Sequence, residues 1–218
     1  VTETTTGLVL RTRPLTETSL IVHWLTPDLG RLATVAKGAR RPKSPFRGKL
    51  DLFYLAEFSF SRSRRSELHQ LREVSLQDTH TPLRMELGYL QQASYAAALI
   101  EQATEAETPL EELFQLFADF LNYLPTRPPE PATVFALELK LLTELGLAPD
   151  WAETHLPPGT RQLAAMLTES EWPMLARLRL SDSQVTELRQ FLHGFLIYHL
   201  GKIPRSRAEA VQGESHPR

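Results

Sequence analysis

The chain has 218 residues, 42% of them hydrophobic, no cysteine, and a formal charge of −2 from 24 Lys/Arg and 26 Asp/Glu. That length and composition describe one large or two small globular domains and exclude a disordered or disulfide-stapled chain. The charge is unevenly divided: residues 1–80 hold 13 basic against 8 acidic side chains, net +5, and the rest hold 11 against 18, net −7.

The first 80 residues read as five short strands. Thr6–Arg13 places Leu8 and Leu10 on one face, and Ser19–Thr26 is rich in apolar and β-branched residues. The TPDLG run, Thr26–Gly30, has the Pro, Asp and Gly of a hairpin loop. Arg31–Ala36 follows, then Asp51–Ser61, whose Phe58 and Phe60 alternate with Ser59 and Ser61, and Glu67–Leu76 closes the set. Five strands in this length suit a closed OB-fold barrel, since closure removes sheet edges. Between the third and fourth strands lies Lys37–Lys49, KGARRPKSPFRGK, which its glycines and prolines keep out of regular structure.

From Pro82 the hydrophobic period becomes helical. The pattern predicts helices over Leu83–Glu107, Pro109–Leu124, Ala132–Leu147 and Ser183–Leu200, the last capped by Ser183, with weaker ones over Arg161–Ser170 and Glu171–Arg179. A Pro-rich break, PTRPPEP, interrupts at 125–131, a Pro-rich loop is expected near 148–160, and Pro204–Arg218 reads as a frayed tail. The expected organisation is α+β: an OB-fold domain over 1–80 and an all-helical domain over 81–218. The residues from Val1 to Leu10 lack a signal-peptide pattern, and no run of about 18 apolar residues suggests a membrane helix. Together with the missing cysteines, this predicts a cytoplasmic protein.

Two constellations carry the functional argument. Lys37, Arg40, Arg41, Lys43, Arg47 and Lys49 fall within thirteen residues around Phe46, and Arg62, Arg64 and Arg65 cluster in the turn between the last two strands. Cations on Gly/Pro-rich loops can follow a phosphate backbone, and an aromatic among them can stack on an unpaired base. Catalytic patterns are absent from the sequence. There is no G-x-S-x-G elbow and no phosphate loop. The seven histidines are scattered, and the closest pair, His193 and His199, lacks the i, i+4 spacing of a zinc helix. In the basic region Asp51 and Glu57 stand nearly alone, too few for a metal-dependent nuclease. No enzyme, metal or cofactor is expected.

The chain resembles the RecO family. The segments that carry the likeness are GLVLRTRPLTETSLIVHWLTPDLGRLATVAKGARRPKSPFRGKLDLF at 7–53, ELHQLREVSLQD at 67–78, FALELKLLTELGLAPD at 135–150 and LIYHLGKIPRSR at 196–207. The run Val35–Ser44, VAKGARRPKS, is the specific part. The resemblance implies an N-terminal OB-fold, a helical C-terminal domain, binding to single- and double-stranded DNA, and annealing of complementary strands. It also implies partnership with RecR and with the acidic tail of single-stranded-DNA-binding protein in loading RecA. By position Lys37, Arg40, Arg41 and Lys43 match the family's basic motif. Many family members carry a four-cysteine zinc module after the LGLAPD segment, whereas here WAETHLPPGTRQ follows with no cysteine. That loop is expected to hold itself by packing through Trp151. An acidic tail needs cations in the helical part, where Arg84, Arg127, Lys140 and Arg177 are candidates. The alternative is a non-catalytic adaptor whose basic barrel binds RNA or another polyanion.

Overall fold

The computed structural model describes residues 2–212. Five strands, β1 (Thr2–Pro14), β2 (Leu20–Thr26), β3 (Gly30–Ala36), β4 (Leu55–Ser61) and β5 (Leu68–Asp78), close into a barrel in the order β1-β2-β3-β5-β4. Only the β3–β5 pair is parallel. The long β1 serves two neighbours. Thr2–Leu8 pairs with β4, Leu8–Pro14 pairs with β2, and a register shift between Val9 and Arg11 bends the strand from one to the other.

Alternation decides what faces inward. Val9, Val22, Trp24, Leu32, Phe58, Phe60, Leu71 and Val74 form the barrel core. Trp24 stacks on Phe58 with ring centroids 4.1 Å apart, and its indole N–H donates to Thr34 Oγ1 at 2.9 Å. The fourth strand begins later than the expected Asp51, because Phe53 is left-handed (φ 66) and fully buried. There its N–H donates to Val9 O at 2.8 Å, and Val9 N–H donates to Tyr54 O.

The helices are α1 (Leu87–Ala103), α2 (Glu111–Tyr123), α3 (Pro131–Glu144), α4 (Pro158–Glu169), α5 (Trp172–Leu175), α6 (Asp182–Leu200) and α7 (Arg207–Ala210). Two compact units result. One joins the residues up to Thr81 with Thr104–Ala118, and the other contains Pro82–Ala103 and everything from Asp119 on. The first unit therefore borrows a strap that the periodicity assigned to the first helix. The helical pattern stops at Ala103. Arg31 on β3 donates to Thr104 Oγ1 and Thr104 O, Ala106 bridges to Arg31, and Glu107 turns left-handed at φ 56. Gly30, at φ 67, lies so close under this strap that a Cβ there would come within 1.8 Å of Thr108 O.

In the second unit α3 packs against α1, α4 and α6, and α1 against α7. The cap of α6 is Ser181 and not Ser183. Ser181 Oγ accepts from Gln184 N–H, and Gln184 Oε1 accepts from Ser181 N–H at 2.9 Å, a reciprocal capping box. Gly201, left-handed, ends the helix. Residues 204–212 do not fray as the sequence suggests. Arg207, Ala210 and Val211 are buried, because Arg207 reaches a carboxylate on α3. The last part of the expected tail, 213–218, lies outside the described residues, as does His216.

Candidate nucleic-acid interface

The 37–49 loop is a succession of tight turns. N–H groups of Ala39, Arg41, Ser44, Arg47 and Lys49 each donate to the carbonyl three residues back. Gly38 and Gly48 supply positive φ. One end of the loop is tied to the turn between β1 and β2: Arg40 N–H donates to Thr18 O at 3.0 Å, and the Arg40 guanidinium donates to Thr16 O at 3.2 Å. Lys37, Arg40, Arg41, Lys43 and Arg47 remain exposed on this framework. Arg47 also folds back on Pro42 O. Lys49 is half-buried and donates to Val74 O on β5 at 3.0 Å.

Phe46, expected among the DNA-contacting residues, is turned inward. Its side chain is 7% exposed and belongs to the barrel core cluster with Phe58 and Val74. Burying the ring gains more than leaving it in water, so here the aromatic anchors the loop to the barrel.

The structure does not bring the two basic clusters together. The 37–49 loop leaves the C-terminal end of β3, whereas β5 enters opposite Ala33 and its preceding turn lies toward the start of β3. The two loops thus leave in opposite directions from points three residues apart on β3, roughly 10 Å along the strand. Arg62 is committed within the unit: it donates to Glu3 Oε1 at 2.8 Å and to Glu107 Oε2 at 2.5 Å. Those two carboxylates, Glu3 foremost, raise its pKa further. The other oxygen of Glu107 meets His69 Nε2 at 3.1 Å, and His69 Nδ1 accepts from Ser63 N–H. Arg64 and Arg65 are exposed in the same turn.

Two cations escaped the sequence reading. Arg11 and Arg13, exposed on the outer side of β1, run toward the end of the barrel where Arg40 is tied down. Arg11 stands directly across from His23 on β2. Burial first, then the neighbouring Arg11, Arg13 and Arg31, hold the His23 pKa down at about 4, so the ring is neutral at pH 7. The Arg-x-Arg spacing at 11–13 was the signal available, since alternate residues share one strand face.

The candidate cations of the helical unit are largely engaged. Arg127 pairs with Glu130 at 2.6 Å, and Lys140 donates to Thr168 O and Ser170 O at the end of α4. Arg177 is exposed. Trp151 packs on Phe191 with centroids 6.0 Å apart, and its carbonyl accepts from Thr154 and Arg161. Among the described residues no group of three or more His, Asp or Glu is placed to hold a metal ion, and no helix is long and apolar enough to cross a membrane.

Comparison with known proteins adds to this geometry. Residues 1–80 match the family described as recombination protein O N terminal, and residues 86–155 match recombination protein O C terminal. A DNA repair protein RecO from Anaeromyxobacter sp. (strain K) is 35% identical over 144 residues, which cover 66% of this chain and 57% of that relative. One from Idiomarina loihiensis is 37% identical over 169 residues, 76% and 68% of the two chains, and one from Synechococcus elongatus is 32% identical over 185, 84% and 66%.

Proposed function

Because the chain belongs to the RecO family, we propose that it is a DNA repair protein whose barrel binds single- and double-stranded DNA without catalysing a reaction. The observation that carries this reading is the hydrogen-bonded 37–49 loop, which holds Lys37, Arg40, Arg41, Lys43 and Arg47 in water while Phe46 packs into the core. Phosphates bind where cations replace condensed counterions, and fixed cations at intervals follow a backbone. The proposed path continues from this loop past the β1–β2 turn to Arg13 and Arg11. Arg64 and Arg65, at the other end of β3, supply a second landing point.

Two separated basic sites suit annealing. Two strands repel each other, and a surface that neutralises both lowers the cost of bringing them together. Annealing, and loading of RecA together with RecR and the acidic tail of single-stranded-DNA-binding protein, are the proposed steps, at the bacterial nucleoid in the cytoplasm. They rest on the family and on the charge of the barrel.

The test is binding of a fluorescent single strand, and annealing to its complement, across a salt series. If about four phosphates are neutralised, log affinity should fall with log salt at a slope of about −3. Arg40→Glu with Arg41→Glu should flatten that slope and slow annealing. Unchanged binding in the double variant, with its fold intact by circular dichroism, would remove the loop from the interface.

A further inference from the structure

The second unit carries a surface of the opposite sign. On α6, Phe191 and Phe195 lie one turn apart with centroids 5.4 Å from each other, both half-buried. Trp151 extends this row at one end, and His199, 4.4 Å from Phe195, extends it at the other. With Leu156 and Pro157 the two phenylalanines line an open groove of about 550 Å³. Its remaining described lining includes Asp150, Glu153 and Glu187 and no Lys or Arg. Thr160 Oγ1 donates to Glu187 Oε2 at 2.5 Å, and Asp150 Oδ1 accepts from Ala152 N–H at 2.9 Å, so two of the three carboxylates are held in place.

We propose that this groove docks a cationic amphipathic segment of a partner protein, with apolar side chains on Phe191 and Phe195 and Lys or Arg side chains on Asp150, Glu153 and Glu187. The charge of the groove chooses the occupant. Three carboxylates in a lining that holds no Lys or Arg repel nucleic acid and acidic peptides alike, and they attract a basic helix whose apolar face meets the aromatic floor. Aromatic side chains in a concave, half-desolvated site are the usual anchors of such contacts. The site is independent of the DNA reading, since it shares no residue with the 37–49 loop.

The experiment uses the full chain and a labelled 18-residue probe peptide of Leu and Lys at helical spacing. Two control peptides replace Lys by Glu, or Leu by Ser. Binding is read by anisotropy and by protection of Trp151 from acrylamide, Trp24 and Trp172 being buried. The Leu/Lys peptide should bind and shield Trp151, and both controls should bind at least tenfold more weakly. Glu153→Lys, at an exposed position, and Phe195→Ala should each cost about tenfold, with DNA binding unchanged. If Phe195→Ala fails to fold, Glu153→Lys alone decides. Equal binding of the Lys/Ser peptide would reduce the site to charge attraction and overturn the proposal. So would binding that Glu153→Lys leaves intact, or a groove already filled by a second copy in sedimentation at the same concentration.

Discussion

Arg207 and Glu138 meet through two parallel hydrogen bonds, Nε to Oε1 at 2.7 Å and Nη2 to Oε2 at 2.9 Å, in a site where Glu138 is fully buried. Tyr95 Oη also donates to Glu138 Oε1 at 2.6 Å, and burial raises the Tyr95 phenol well above its ordinary pKa, so it stays a donor. Breaking such a pair strands a charge. Arg207→Ala should cost about 3–5 kcal/mol of stability, and replacing both partners with apolar residues of similar volume should cost much less. Urea unfolding of the single and double variants checks this; equal losses would show that the pair itself, not the stranded carboxylate, sets the cost.

Phe46 separates an anchor from a stacking platform. Phe46→Ala should destabilise the barrel by about 3 kcal/mol through the cavity it leaves, and should weaken DNA binding by loosening the loop. Phe46→Leu should restore most of both, because Leu refills much of the cavity that Ala leaves and keeps an apolar anchor in the core. A Leu variant that is stable yet binds single strands poorly would return the ring to the bases.

Glu107 holds Arg62 and His69 with one carboxylate. Glu107→Gln removes that charge but leaves Arg62 paired with Glu3, so the variant that releases Arg62 for phosphate is Glu3→Gln with Glu107→Gln. Affinity for a single strand at low salt should rise, and the salt slope should steepen by about 0.7, the contribution of one more phosphate. An unchanged slope would place Arg62 off the DNA path.

His23 sets a pH dependence. Its folded pKa of about 4 lies below the usual 6.5. As pH falls through about 6.5 the unfolded chain takes up this proton, while the folded chain resists until about 4. Stability from this group is therefore lost between those limits as pH drops, and below about 4 the loss is complete. His23→Gln should gain on the native chain between pH 7 and pH 5 in urea unfolding, and a constant gap across that range would refute the assignment.

How much of this was legible in the chain follows the range of the interactions. The inward alternation of Phe58 and Phe60 announced a half-buried strand, and the leucines of α3 and α6 announced helix faces, because both are local periodicities. The strap was not legible. Thr104–Leu110 has no strong helix breaker before Pro109, and what ends the helix is Arg31, 73 residues away. Arg207 reads as part of a polar tail until its partner, 69 residues distant, is seen. In the site, the cations of the loop were evident from composition. That Phe46 turns inward and that Arg62 is already paired depend on Glu3, Glu107 and the barrel core, which no spacing within the loop encodes.

The anchored loop also bears on how an encounter with DNA would register in a calorimeter. A disordered basic segment that orders on contact buries new apolar surface and leaves a large negative heat-capacity change. Here the apolar surface of Phe46 is withdrawn from water when the barrel folds. Binding at the 37–49 loop is then a meeting of a preformed comb of charges with a polyanion. Its heat capacity should change little, and its free energy should come mainly from ions set loose into solution.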